Sequence, residues 1–296
     1  MKKDIRAGKT MQMLNIVLLH NQQPESYIDL FERLLQEDYV VKLTGESYIE
    51  LIAFRKMSHW DMYEGEIVSY IGVRNNAWFN QKSKEIETYE GREDLFANTK
   101  KATFFFIPQC HKLCLLSGSE ISLQNIKKFI DNASCRLLGE GQVHTNYITS
   151  KDEIKDAYQD VNINRVRLTI NYSNKDYSED FERTFDDLAK QGNVAQINMD
   201  ITSAEGEDLL LDKGGMIDSL LNLATSLGNG YADISGYRII PPKKKSAKVR
   251  KKRERIRTSD YISTFPLEYG SYNELFTGIY NMVMTIFKRD EKDEEK

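Results

Sequence analysis

Between Lys243 and Arg257 the chain reads KKKSAKVRKKRERIR, ten cations and a single carboxylate, Glu254, in fifteen residues. The whole chain carries a formal net charge of −4, so the remainder holds 31 basic against 44 acidic side chains. A concentrated positive block on an acidic protein repels anions everywhere except at one place, where a polyanion can land. The chemistry to expect is phosphate neutralisation, which gives sequence-independent affinity for nucleic acid. The candidate contacts are Lys243, Lys244, Lys245, Lys248, Arg250, Lys251, Lys252, Arg253, Arg255 and Arg257. The four arginines can also reach base edges, because a guanidinium donates in bidentate fashion. Pro241-Pro242 ends the strand expected before the block, and Tyr261-Ile262-Ser263 with Phe265 suits a returning strand. The block is therefore expected to be a loop projecting from a sheet.

Other reactive residues offer less. Cys110-His111-Lys112-Leu113-Cys114 has the flavour of a metal site. In an extended chain, however, both cysteines fall on one face and His111 on the other, with no second Cys/His pair nearby. A buried strand is the simpler reading, and no metal or cofactor is expected. His20, His59, His111 and His144 belong to no recognisable triad. Glu153-Ile154-Lys155, preceded by Asp152, invites a metal-dependent nuclease reading, which needs carboxylates converging on a cation. Acids at the start of a helix suit the helix dipole equally well. Gly214-Gly215 and Gly228-Asn229-Gly230 match neither phosphate-loop pattern, which argues against a nucleotide-hydrolysing engine. No catalytic residue is assigned, and a nuclease effector is kept as the alternative. A second alternative is an interaction module whose basic loop docks an acidic protein.

The elements that must position the block follow from periodicity. Met11 to Leu19 reads as a first strand, and its apolar stretch is too short and too interrupted for a signal peptide. Tyr27, Ile28, Phe31, Leu34 and Leu35 recur at helical spacing. Val40 to Val73 alternates as two or three antiparallel strands, and Asn75 to Lys100 is a polar connection with Trp78-Phe79 as an anchor. Phe104 to Ile107 and Leu113 to Leu116 form a hairpin. Ser122 opens an amphipathic helix, Leu137 to Thr149 returns to strand, and Ser150 opens a short helix. In the second half, Arg165 to Tyr172 and Val194 to Ile201 alternate as strands with one buried face. Phe181, Phe185 and Leu188 mark a helix between them. Met216 to Leu227 is a strongly apolar helix, Tyr231 to Ile240 a third strand, and Ser271 with Glu274 a capping box for the last helix.

This is an α+β chain with mixed, mostly antiparallel sheets and helices packed on their faces. The expected division is 1–160, an N-terminal α+β domain; 161–290, a C-terminal α+β domain carrying the loop 243–257; and a charged tail, 291–296. At 296 residues the chain is long enough for one or two cores. No run of about 18 apolar residues is present, and three cysteines suit a reducing compartment, so a cytoplasmic protein is expected.

The order of these elements resembles a known family. A strand over Asn229 to Ile239, a returning segment from Asp260 to Pro266 and a terminal helix ending in Phe287-Lys288-Arg289 resemble RexA-like phage-exclusion proteins. The Phe104-Phe105-Phe106-Ile107 strand, the helix over Leu123 to Ile130 and the strand Arg165 to Tyr172 fit the same layout. The Phe-rich strand followed by Pro108 and His111 is also similar to the uncharacterised prokaryotic family termed domain of unknown function 4747. The RexA resemblance implies a DNA-binding component of antiphage defence, with DNA in preference to RNA, working beside a second, membrane-embedded protein. A homodimer is expected, with the helix Met216 to Leu227 and the terminal helix as candidate association faces. The basic block has no counterpart in the RexA layout.

Overall fold

The computed structural model describes residues 7–19, 21, 23–72, 78–87, 96–171, 192, 194, 196–211, 215–225, 228–240 and 250–287. The expected helix around Phe181 to Leu188, the Pro241-Pro242 stop, His20 and the charged tail lie outside them, as do the side chains of Trp78 and Phe79. The fold is α+β, with antiparallel sheets and helices packed on them.

The first sheet has eight strands: β1 (Ala7–Leu18), β2 (Val41–Lys42), β3 (Ser47–Lys56), β4 (Tyr63–Ile71), β7 (Ala97–Ile107), β8 (Lys112–Leu116), β9 (Val143–Tyr147) and β14 (Phe265–Tyr269). Their order is β14-β1-β8-β7-β4-β3-β2, with β9 also paired to β1. The short pair β5 (Trp78–Phe79) and β6 (Ile86–Glu87) occupies part of the expected polar connection.

Helices cover both faces of this sheet. On one lie α1 (Pro24–Gln36) and α2 (Leu123–Leu138). Pro24 opens α1, where its missing N–H costs nothing, and Tyr27, Leu30, Phe31 and Leu34 face the sheet. Ser122 caps α2 by accepting from the Asn125 N–H at 3.3 Å, and Ile126, Phe129, Ile130 and Ala133 are buried. The opposite face is covered by α5 (Tyr272–Phe287), which buries Leu275, Ile279, Val283 and Phe287. Ser271 accepts from the Glu274 N–H, and Glu274 reaches back to the Gly270 N–H at 2.6 Å. Double coverage explains why Phe104 to Ile107 is continuously apolar. Phe104 and Phe106 enter the α1/α2 core, while Phe105 and Ile107 enter the α5 core.

The second sheet has the order β11-β10-β12-β13. Its strands are β10 (Asn162–Asn171), β11 (Gln196–Thr202), β12 (Gly230–Ile240) and β13 (Arg250–Arg257). The core beneath it is built from Val166, Leu168, Ile170, Ala232, Ile234 and Ile256, with α4 (Met216–Thr225) and Ile154 of α3 (Lys151–Tyr158). Both expected association helices thus spend their apolar faces inside the chain's own cores.

Two placements differ from expectation. The returning strand is β13, inside the basic block itself, because Asp233 to Ile240 pairs residue for residue with Arg257 to Arg250. Tyr261-Ile262-Ser263 does not return to this sheet. Ile262 bridges Thr149, and Phe265 to Tyr269 pairs with β1 of the first sheet. Residues 265–287, in the C-terminal half by sequence, therefore pack with the N-terminal strands.

The second sheet is consequently an excursion from the first. The chain leaves after β9 and comes back before β14. The two crossings are laced together by Ser150 N–H to Tyr261 C=O (2.8 Å) and Ser263 N–H to Ile148 C=O (2.9 Å). Gly228, at a left-handed φ of 76°, sits against this neck, and a Cβ there would lie 2.8 Å from both Asn15 Cβ and Ile148 Cδ1. Asn15, fully buried on β1, donates to the Gly228 carbonyl at 3.2 Å and accepts from the buried Lys112 ammonium at 2.8 Å.

Phe106 is fully buried beside Phe31, with ring centroids 4.8 Å apart. Phe106→Ala is expected to lower stability by about 3–5 kcal/mol through lost burial and a residual cavity. In a urea titration this appears as a lower midpoint at unchanged slope.

Candidate nucleic-acid interface

The basic block is divided by the fold. Lys243, Lys244, Lys245 and Lys248 lie outside the described residues. The other six candidates are on β13, an edge strand and not a projecting loop. The physical reason lies in register. Ile256 pairs with Ile234 and drops into the core at 7% exposure, which fixes the strand and turns alternate residues to opposite faces.

Arg250, Lys252 and Glu254 share the Ile256 side. There Lys252 Nζ binds Glu254 at 2.9 Å, and Arg238 lies 3.8 Å from the same carboxylate while donating to the Ala157 carbonyl. The Lys252 hydrogen bond, first among its causes, holds the Glu254 carboxyl below the usual range.

Lys251, Arg253, Arg255 and Arg257 share the opposite, outer face. Register carries that face across the sheet. Arg257, Arg255, Arg253 and Lys251 stand opposite Asp233, Ser235, Tyr237 and Ile239 of β12. Beyond them come Arg167 and Arg165 of β10, paired with Asp233 and Ser235, and then Asp200 of β11, paired with Arg167. Helix α4 lies on the other side, against the apolar residues. The outer strip thus gathers six cations around two carboxylates. Farther along it, Thr169 and Asn171 are buried and hydrogen-bond Asn198 and Gln196, so among the described residues the open area is the Arg165/Arg167 region, β12 and β13.

The carboxylates organise this strip without neutralising it. Asp200 takes a two-point contact from Arg165 (Nε to Oδ1, 2.7 Å, and Nη2 to Oδ2) and an approach from Arg167 Nε at 3.4 Å. Hydrogen bonding from Arg165 is the main reason its carboxyl is held low. Asp233 meets Arg255 at 2.7 Å and Arg257 at 3.8 Å. Pairs this exposed contribute little to stability. Their effect is to hold the guanidinium groups in place with donors to spare. Lys251 stands 4.0 Å over the Tyr237 ring, and the Tyr237 hydroxyl donates to Asp208 at 3.2 Å. Arg253 makes no ion pair or hydrogen bond among the described residues.

The two ends of the strip differ. At the Tyr237 end an open cleft of about 540 Å³ is bordered by Glu205, Glu207 and Asp208. At the other end Tyr231 stands 49% exposed above a second cavity. Arg165 and Lys251 also line the first cleft, so its carboxylates face cations of the strip, whereas Arg253 to Arg257 lie toward the second end.

Sequence reading did not place Arg165, Arg167, Tyr231 or Tyr237 at the interface. The signal was the Arg-Val-Arg alternation of β10. If Val166 is buried, both arginines must face out, and only the pairing of β10 with β12 reveals which side β13 shares.

The remaining candidates fall elsewhere. Cys110, in a 3-10 turn (Pro108–Cys110), and Cys114, on β8, are buried in the core under α5, and burial pushes the Cys114 thiol far up. His111 stacks on Tyr27 at 4.2 Å. Asp152 and Glu153 open α3, where Ser150 caps the Glu153 N–H. Among the described residues, no group of three or more His, Cys, Asp or Glu side chains could hold a metal ion, and no helix is long and apolar enough to cross a membrane.

The class defined is an α+β protein whose second sheet turns a basic, uncapped face outward among its described residues. The family described as Domain of unknown function (DUF4747) matches residues 9–278, and the chain belongs to that family. No curated protein matches it.

Thiol chemistry checks the cysteine assignment. Cys135 is exposed, whereas Cys110 and Cys114 are buried. One equivalent of thiol is expected to react with an aromatic disulfide reagent in the native protein and three after unfolding. A second fast equivalent would contradict the packing of β8 beneath α5.

Proposed function

We propose that this chain is a non-catalytic, cytoplasmic nucleic-acid-binding component of a prokaryotic antiphage defence system, with DNA as its polyanion. The observation that carries this is the outer strip: six cations around two carboxylates on one open face of a sheet, in a chain whose net charge is −4. Arg165, Arg167, Lys251, Arg253, Arg255 and Arg257 grip phosphates, and the described part of the block acts as one wall of that face. A sheet face with basic rows and the exposed ring of Tyr231 suits single strands, whose bases stack on aromatic rings while the backbone follows the cations. The resemblance to RexA-like proteins supports the defence setting and, with it, a membrane-embedded partner.

The strand position of β13 changes the appropriate test. Deleting 243–257 removes an edge strand and the buried Ile256, so loss of binding by a deletion would be uninformative. Charge-removing substitutions on the outer face keep the register. By fluorescence anisotropy over a salt series, about six phosphate contacts should give a slope of log K against log salt near −4 on single strands and near −5 on duplex. Arg253→Gln, Arg255→Gln and Arg257→Gln together should reduce the steepness by about 2 to 3 and weaken binding at least tenfold. Asp233→Asn should tighten binding by releasing Arg255 and Arg257. An unchanged slope in the triple variant, or equal affinity for polyglutamate and DNA, would defeat the proposal.

A further inference from the structure

At the neck between the two sheets is a cavity of about 280 Å³, near the small end of the size range of ligand pockets. Its walls come from distant parts of the chain: Lys127 of α2, Thr145 and Asn146 of β9, Thr149, Tyr231 at the start of β12, and Ser259. Three of these groups have donors to spare. Asn146 is only 5% exposed, yet its Nδ2 has no hydrogen-bond partner among the described residues. An unspent buried amide donor is uncommon and calls for an explanation. Lys127 donates to Asp131 at 2.6 Å and to Thr145 at 2.9 Å, leaving one of its three N–H bonds. The Ser259 hydroxyl makes no hydrogen bond among the described residues. Beside these donors stands the half-exposed ring of Tyr231, next along the outer face from Asp233 and its partners Arg167 and Arg257.

We propose that this cavity binds a nucleobase, with Tyr231 as its stacking platform and Asn146, Lys127 and Ser259 as donors to its edge. The inference rests on the reading of the basic strip as a phosphate track. A strand held over Arg253 to Arg257 reaches Tyr231 at the next outward position of β12 beyond Asp233, whose partners are Arg167 and Arg257. Recognition of an unstacked base in single-stranded nucleic acid needs a ring to stack on and hydrogen bonds to the base edge. Donors set in a mostly apolar wall select bases that present carbonyl oxygens, so thymine or uracil is preferred to adenine. The same chemistry could be met by a base in a strand or by a free nucleotide, and the experiment separates the two.

The full chain is titrated with a single-stranded oligo(dT) of about twelve nucleotides, with oligo(dA), and with thymidine and adenosine monophosphates, by anisotropy and calorimetry. Tyr231→Ala tests the platform and Asn146→Asp the donor, with circular dichroism to confirm the fold. The expected result is about a tenfold loss of oligo(dT) affinity in Tyr231→Ala at an unchanged salt slope. Thymidine monophosphate should bind the wild type weakly and neither variant. If oligonucleotides bind through Arg253 to Arg257 while both variants behave as wild type, the pocket is refuted and the phosphate track stands. If mononucleotides bind in a Tyr231-dependent way but oligonucleotides do not bind, the track is refuted and the pocket serves a free nucleotide. If neither binds, both fall.

Discussion

The structure depends on how one strand is shared. β1 pairs along Met11 to Asn15 with β8. It also pairs with β14 over Ala7 to Met11 and with β9 over Leu14 to Leu18. β9 is where the chain leaves for the second sheet, and β14 is where it returns. Closing both pairings therefore forces the intervening segment, more than a hundred residues, to form a body whose two entry points are neighbours. Loop-closure entropy rises only slowly with loop length, so such an insertion costs little once its own core pays for its order. Asn15 lies on β1 opposite Asn146 of β9 and hydrogen-bonds Gly228, so a fully buried polar side chain sets where the second sheet stands.

That placement has an electrostatic consequence. The second sheet buries one face on α4 and turns the other outward. β13 is one of its two edge strands, and a row of arginine and lysine on an edge strand also discourages edge-to-edge pairing with another copy. Protection of an edge accounts for cations on either side of β13. It does not account for Arg165 and Arg167, which lie two strands inward on the outer face. Cations on two strands, β10 and β13, flanking β12 on the outer face fit a phosphate track and exceed what an edge guard needs.

Local signals made much of this fold legible. Ser122, Ser150 and Ser271 each accept from the backbone three residues on, as short-range capping chemistry dictates. The alternation of β10 and β12 announced one buried face. β13 was not legible, because its eight residues contain one apolar side chain, Ile256, and no binary pattern can emerge from a single member. Only the register with β12 makes it a strand. The return of β14 to β1 was equally hidden, since the partners are separated by more than two hundred residues and pair by shape and burial. The ten cations were conspicuous from the start. The partition of the six on β13 onto two faces, and the recruitment of Arg165 and Arg167, exist only in three dimensions.

The neck cavity shows the same limit most sharply. Lys127, Asn146, Tyr231 and Ser259 share no motif, and each sits in a segment with an ordinary structural duty. They converge because β9 and the start of β12 are held together by the β1–β9 pairing, the Asn15–Gly228 contact and the Thr149–Ile262 bridge. A cavity made by the junction of two sheets responds to any shift between them. Its occupant would bridge Asn146 on one side and Tyr231 on the other, and would therefore bind best to one relative placement of the sheets. By reciprocity, occupation of that cavity stabilises the same placement. The basic strip of the second sheet and the first sheet would then be coupled through the few residues at the neck, and not through a path across either core.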